Sequence, residues 1–293
     1  MDDETRVTVL GAGTMGHGIA QVLTQAGCRV VLRDVDAARV ESGLAAVRKN
    51  LEGGVQRGKL SAADRDAALA RLSGQVELSA ALEGAEVVIE AVPEDMGLKK
   101  RVLCEVAGLA QPKLLATNTS SLSVTELAQS TGAPERVLGL HFFNPVHLQP
   151  LVEVVRGERT GKEALDLALA LVERMGKTAI VVQDAPGFAS SRLGLVLGLE
   201  AIRMVEQGVA SVQAIDQAME LGYRHKMGPL MTGDYVGLDV RLDIAEHLAR
   251  EIGPQFQPPL LLRRLVRAGK LGRKAGEGFY RWDAQGNCLG PAM

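Results

Sequence analysis

The sequence predicts an α/β fold, a doubly wound and mostly parallel sheet, followed by an all-helical C-terminal domain. Short β-branched runs alternate with helical patterns up to residue 184, the rhythm of strand–helix–strand units. Those runs are continuously apolar, as strands covered on both faces must be. Beyond Asp184-Ala185-Pro186-Gly187 the strand signal stops and helical spacing takes over. The length of 293 residues agrees, because roughly 150 residues per domain gives two domains. The expected division is residues 1–184 and 185–293.

The first strand is Arg6-Val7-Thr8-Val9-Leu10, and residues 14–25 carry Met15, Ile19, Val22 and Leu23 at helical spacing. Residues 29–32 return to a strand pattern and complete the opening unit. Residues 36–73 are rich in Ala, Leu and Arg and read as a long helical hairpin, inserted before the next strand and broken near Gly53-Gly54. The alternation resumes with a strand at 86–92, a helix at 98–109 and a strand at 113–117. Ser123-Val124-Thr125-Glu126 has capping-box spacing and starts a short helix. Strands follow at 137–141, 151–155 and 179–182, with a helix at 162–175 before the last. Residues 188–250 and 258–268 are helical, punctuated by Gly222, Gly228-Pro229 and Pro258-Pro259. So small a helical part, apolar along residues 193–205, calls for a partner surface.

Composition excludes several classes. Hydrophobic residues make up 46% and charged residues 23%, the balance of a globular protein. Thirty-three basic residues against 35 acidic ones give a net charge of −2, so no global field favours nucleic acid. The opening Met1-Asp2-Asp3-Glu4-Thr5-Arg6 lacks the basic and apolar regions of a signal peptide. The apolar run at 193–199 is well short of the roughly 18 residues a membrane span needs. Cys28, Cys104 and Cys288 are odd in number and far from any His cluster, so they read as reduced thiols, with no metal site. The expectation is a cytoplasmic protein.

Gly11-Ala12-Gly13-Thr14-Met15-Gly16 is G-x-G-x-x-G between a strand and a helix. The first glycine makes the tight turn, the second admits a pyrophosphate, and the third lets helix and strand pack closely. The helix N-terminus then offers its N–H groups and dipole to phosphates. Asp34 closes the second strand, where a carboxylate accepts hydrogen bonds from the adenosine ribose and repels a 2′-phosphate. This favours NAD over NADP. Asp34 as a simple cap of the next helix is the competing reading, and Arg33 beside it softens the preference.

His141-Phe142-Phe143-Asn144-Pro145 follows a strand, and Glu153 lies in the next one. Two strands joined by such a loop bring imidazole and carboxylate side by side. The carboxylate fixes the tautomer and stabilises imidazolium, leaving the other nitrogen to exchange a proton with an alcohol. A loop histidine and a solvated glutamate fit the same residues. Asn118-Thr119-Ser120-Ser121 ends another strand, on the sheet edge where open α/β folds bind ligands. There its hydroxyls and amide reach a substrate oxygen, or simply form a turn with a helix cap.

Taken together, GAGTMGHGIA (11–20), TNTSSLSVTELA (117–128), GLHFFNPVHLQPLVEVV (139–155), DAPGFASSRL (184–193), MGPLMTGDYVGLD (227–239) and GRKAGEGFY (272–280) resemble the 3-hydroxyacyl-CoA dehydrogenase family, most of all its bacterial 3-hydroxybutyryl-CoA type. The resemblance implies a Rossmann-like domain and a helical domain that makes a homodimer. It implies NAD-dependent oxidation of an L-3-hydroxyacyl-CoA to the 3-oxoacyl-CoA, as in fatty-acid β-oxidation. By that resemblance the catalytic base is His141, its paired carboxylate Glu153, and the substrate-contacting serine Ser120. Cofactor contacts carried over are the glycine loop (Gly11, Gly13, Thr14, Met15, Gly16), Asp34, Ala91, Glu94, Lys99, Asn118, Ser120, Asn144 and Lys274. Asn144 also faces substrate.

One position departs from the pattern. The family's PGFxxNR segment carries an asparagine that helps hold the substrate, and here Ser191 stands in its place. Serine is shorter and offers one donor instead of two, which bears on substrate choice more than on the reaction. Arg263, Arg264, Arg267, Lys270, Arg273 and Lys274 form a basic tract, either a solvated face or a surface for the phosphates of CoA. Lys49, Arg57 and Lys59 are alternative CoA contacts. Two further readings keep the fold: a dehydrogenase of a non-CoA hydroxy acid, and a non-catalytic NAD-binding protein.

Overall fold

The computed structural model describes residues 5–293, so residues 1–4, most of the segment read above for a signal peptide, lie outside it. The chain divides into two compact units, the first ending at Phe188 and the second spanning Ala189–Met293. The division falls past Asp184 for a physical reason. The Asp184 carboxylate accepts from Ser123 Oγ (2.8 Å), Val124 N (3.0 Å) and Thr125 N (2.7 Å), which ties the segment to the first unit.

The first unit opens with β1 (Arg6–Leu10), α1 (Thr14–Gln25) and β2 (Arg29–Arg33), and continues with α2 (Ala37–Gln56), α3 (Ala62–Ala70), β3 (Leu72–Gln75), α4 (Leu78–Ala81) and β4 (Val87–Glu90). Next come α5 (Met96–Leu109), β5 (Leu114–Thr117), α6 (Val124–Gln129), β6 (Val137–Phe142), β7 (Leu151–Arg156), α7 (Lys162–Arg174) and β8 (Thr178–Gln183). The strands form one sheet in the order β3-β2-β1-β4-β5-β6-β7-β8. Only the β6–β7 pairing is antiparallel. Val7, Val9, Ile89, Leu114, Leu138 and Val154 are buried in its main core, with Ile19 and Leu23 of α1 packed among them.

The 36–73 segment differs from expectation. α2 runs unbroken through Gly53 and Gly54, because Val47 and Leu51 bury its inner face, and the turn comes later, at Gly58 (φ 66°). Residues 72–75 are a strand paired with β2, not the end of a helix. Leu72-Ser73-Gly74-Gln75 lacks β-branched residues, and Gly74 belongs there for clearance. A Cβ at Gly74 would sit 2.5 Å from Val40 Cγ1 of α2.

The second unit contains α8 (Ser190–Glu206), α9 (Val212–Tyr223), α10 (Pro229–Val236), α11 (Leu238–Glu251) and α12 (Leu260–Arg267). It is helical except for an antiparallel ribbon of β9 (Tyr280–Trp282) and β10 (Cys288–Pro291), which the sequence reading left out. Two buried carboxylates hold the unit together. Asp216 accepts from Leu230 N (2.8 Å) and Met231 N (2.9 Å) at the start of α10, and from the Tyr280 hydroxyl (2.7 Å). Asp234 accepts from Phe279 N, Tyr280 N and Trp282 Nε1, each at 2.9 Å. Gly228 and Gly278 are glycine because a Cβ would come within 2.2 Å of Asp216 and Asp234 respectively.

Burial and the Asp216 carboxylate push the Tyr280 phenol far above its ordinary range. The unfolded chain releases this proton near pH 10, whereas the folded chain keeps it. Folded molecules then bind more protons than unfolded ones, so stability falls as pH rises past about 10. Urea midpoints measured at about pH 8 and about pH 11 should show this loss, and Tyr280→Phe should remove that part of it. An unchanged pH dependence in the variant contradicts the assignment.

Candidate active site

The glycine loop is built by steric necessity at two positions and left open at a third. Gly11 has φ 99° and passes so close to the next strand end that a Cβ would lie 2.6 Å from Ala91 O. A Cβ at Gly16 would lie 1.7 Å from Gly11 O. At Gly13 a Cβ would meet nothing within 4 Å, and the residue is exposed. Gly13 also precedes α1 without any side-chain cap, so the first N–H groups of the helix, with Thr14 and Met15, are left for a ligand. Asp34 adjoins this loop: its Oδ2 accepts from Ala12 N and its Oδ1 from Val35 N, both at 2.7 Å. The cap of α2 is Asp36, which accepts from Arg39 N, so Asp34 is not needed for that task. The Arg33 guanidinium turns away to Val76 O (2.9 Å). Open backbone, an uncapped helix start and an adjoining carboxylate fit the pyrophosphate and ribose of NAD.

His141 and Glu153 are register partners across the antiparallel β6–β7 pair, so their side chains share one face. His141 Nδ1 lies 2.7 Å from Glu153 Oε2. Glu153 is fully buried and His141 is 7% exposed. The carboxylate holds the Nδ1 proton, which aims Nε2 outward as the acceptor. The imidazole is further fixed by the Phe143 ring, 4.5 Å between centroids, and by Phe188 at 5.8 Å.

Asn118 ends β5, and its Oδ1 accepts from Phe142 N (3.0 Å), the residue after His141. This bond locks the serine turn to the histidine strand. Ser120 lies next to Glu94, whose Oε1 accepts from Thr119 Oγ1 (2.6 Å), Ser120 N (2.8 Å) and Ser120 Oγ (3.1 Å). Burial pushes the Glu94 carboxyl up, yet the Lys99 charge and the Thr119 and Ser120 hydrogen bonds outweigh it. The net result lies below the usual carboxylate range. Lys99, expected among the cofactor contacts, is instead 1% exposed. Its Nζ lies 2.7 Å from Glu90 Oε1, 3.2 Å from Val92 O and 3.4 Å from Glu94 Oε2. Glu90 and Thr117 (Oγ1 to Glu90 Oε2, 2.6 Å) complete a buried network that the sequence reading did not identify. Its one signal in the sequence is an acid at the end of the otherwise apolar strand Val87–Glu90. Asn144 is exposed two residues past β6, before Pro145.

Ser191 occupies the first turn of α8 in the second unit. Lys274, also expected at the cofactor, is held by Asp239 Oδ2 (2.6 Å) within that unit. The rest of the basic tract is largely committed too. Arg263 pairs with Glu246, Lys270 with Glu277 (2.6 Å), and Arg273 lies over the Tyr235 ring at 4.7 Å. Among the described residues, no helix is long and apolar enough to cross a membrane.

Comparison with known proteins agrees with this geometry. The profile for the 3-hydroxyacyl-CoA dehydrogenase NAD binding domain matches residues 6–185, and that for the family's C-terminal domain matches residues 187–282. The chain is 44% identical over 281 residues to a probable 3-hydroxybutyryl-CoA dehydrogenase of Bacillus subtilis, covering 95% of this chain and 97% of that one. Its fold is similar to FadB2 of M. tuberculosis (TM-score 0.92, 41% identity, 95% and 99% of the two chains). It is also similar to (S)-3-hydroxybutyryl-CoA dehydrogenase PaaH1 of Ralstonia eutropha (TM-score 0.91, 39% identity, 95% and 99%). Fold and matches define an oxidoreductase with an NAD-binding, Rossmann-type domain. The chain belongs to the 3-hydroxyacyl-CoA dehydrogenase family.

Proposed function

We propose that the protein oxidises an L-3-hydroxyacyl-CoA, of the 3-hydroxybutyryl-CoA kind, to the 3-oxoacyl-CoA. The observation that carries this reading is the buried His141–Glu153 pair, 2.7 Å apart. His141 Nε2 takes the proton of the substrate hydroxyl, and Glu153 stabilises the imidazolium that results. Ser120 and Asn144 hold the reacting oxygen, with Ser191 as a further substrate contact of reduced hydrogen-bonding capacity. Bound NAD supplies the hydride acceptor. Its holders are Gly11, Gly13, Thr14, Met15, Gly16, Asp34, Ala91, Glu94, Asn118, Ser120 and Asn144. The protein acts in the cytoplasm as a homodimer formed through the second unit, where Leu193, Leu221 and Tyr223 are 68%, 81% and 75% exposed.

The test is a set of initial rates with acetoacetyl-CoA and NADH, with NADPH in its place, and with free acetoacetate. Turnover of the thioester with a preference for NADH is expected, and sedimentation of the same sample should give two chains. Turnover of the free acid alone replaces this reading with a non-CoA dehydrogenase. Tight NAD binding without turnover of either leaves a binding protein.

A further inference from the structure

The buried acid–base network beside Ser120 has more structure than a cofactor contact needs. An ammonium has three N–H donors, and Lys99 has three acceptors around it in Glu90, Val92 and Glu94. At 1% exposure it is enclosed by these groups, with hydrogen bonds to Glu90 and Val92 and the Glu94 carboxylate beside it as an ion-pair partner. Its charge instead passes to Glu94, which is 36% exposed on its outer edge. One oxygen of Glu94, Oε1, is approached by five donors. Thr119 Oγ1 and Ser120 N are nearest at 2.6 and 2.8 Å, followed by Ser120 Oγ (3.1 Å), Ser121 N (3.2 Å) and Ser121 Oγ (3.3 Å). A carboxylate oxygen has two lone pairs, so the two nearest donors hold it and the others share what remains. The Ser120 backbone is thereby fixed, while its hydroxyl hydrogen is held only weakly. That is what a hydroxyl needs if it is to stay in place yet turn its hydrogen to a substrate oxygen.

We propose that Glu90, Lys99 and Glu94 are positioning residues that set the place of the Ser120 hydroxyl. This rests on the dehydrogenase reading above and adds to it charged residues that act on the substrate only through the serine. Lys99 acts through Glu94, and Glu94 through the Thr119–Ser121 turn.

The experiment is a mutant cycle. Lys99→Met alone leaves Glu90 charged and buried, which destabilises the fold for reasons unrelated to Ser120. Glu90→Gln with Lys99→Met removes both charges, so neither is left buried alone, and the amide oxygen still accepts from Val92 N. The expected result for that pair variant is a wild-type unfolding midpoint, NADH affinity within about threefold, and kcat with acetoacetyl-CoA lowered about tenfold. Adding the pair to Ser120→Ala should cost no further activity beyond about twofold, because both changes remove one function. Losses that multiply, wild-type kcat in the pair variant, or NADH affinity falling in step with kcat each overturn the proposal. Should the pair variant fail to fold, Glu94→Gln, which also touches the cofactor, is run at saturating NADH and read on kcat alone: no further loss on top of Ser120→Ala supports the proposal, and losses that multiply overturn it.

If the wild-type chain turns over no thioester, the functional reading fails on its own. Amide exchange at residues 119–121 still reads the network. Faster exchange in the pair variant supports it, and unchanged protection overturns it.

Discussion

Replacing His141 by glutamine lowers kcat about 10²–10⁴-fold, the usual contribution of a general base, and leaves NAD affinity nearly unchanged. Glutamine is the better choice than alanine because Glu153 is fully buried. Taking the imidazole away from that buried carboxylate weakens the compensation of its charge, at a cost of about 3–5 kcal/mol, and would confuse misfolding with lost chemistry. A glutamine N–H still faces Glu153 but has no basic nitrogen to present. Glu153→Gln is the complementary change. Its amide donates to Nδ1 and so favours the tautomer with a proton already on Nε2, which cannot accept another. Both variants should lose turnover while melting near wild type. A His141→Gln protein with near-full activity removes the proposed mechanism.

The features that were legible in the sequence were those that local physics dictates. Val7, Thr8 and Val9 are β-branched, and Gly11 and Gly16 are glycine because backbone atoms lie where a Cβ would go. The His141–Glu153 spacing was legible because a hairpin centred between the two places them opposite one another. What the sequence does not reveal depends on contacts between residues distant along it. β3 is a strand because β2 offers it an edge and α2 packs over Gly74, not because Leu72-Ser73-Gly74-Gln75 favours extension. The β9–β10 ribbon is also short, and the alternation of Tyr280-Arg281-Trp282 spans only three residues.

The acids tell the same story from the polar side. Glu90, Glu153, Asp216 and Asp234 are all at most 2% exposed, yet nothing local separates them from surface acids. Burial disfavours an ionised carboxyl, so each survives only by collecting donors from elements far along the chain. Lys99 comes from α5 to meet Glu90 on β4, and Trp282 from β9 to meet Asp234 on α10. Family resemblance supplied Lys99 as a residue of interest. Only the structure shows that its donors point inward.

Asp234→Ala should be the most damaging single change to the second unit. Three donors converge on this carboxylate: two backbone N–H groups, of Phe279 and Tyr280, and the indole N–H of Trp282. Each donor left buried without a partner costs about 1–3 kcal/mol, so a loss of about 3–5 kcal/mol is expected after partial relaxation. Burial, ahead of the compensating hydrogen bonds, pushes the Asp234 carboxyl up. Asp234→Asn should therefore do less harm than alanine, since the amide oxygen retains one acceptor and removes the charge that burial penalises. Gly278 faces the Asp234 carboxylate and Gly272 its backbone so closely that a Cβ would lie 2.2 and 2.4 Å away, so neither position carries a side chain that could fill the gap. Trp282 is the one tryptophan in the chain, so its fluorescence reads this contact directly. The alanine variant should show a lower urea midpoint and a red-shifted native emission, as water reaches the indole. Wild-type values for both would mean that the ribbon is held by its apolar contacts alone, with Phe279 and Trp282 anchored in the core without help from Asp234.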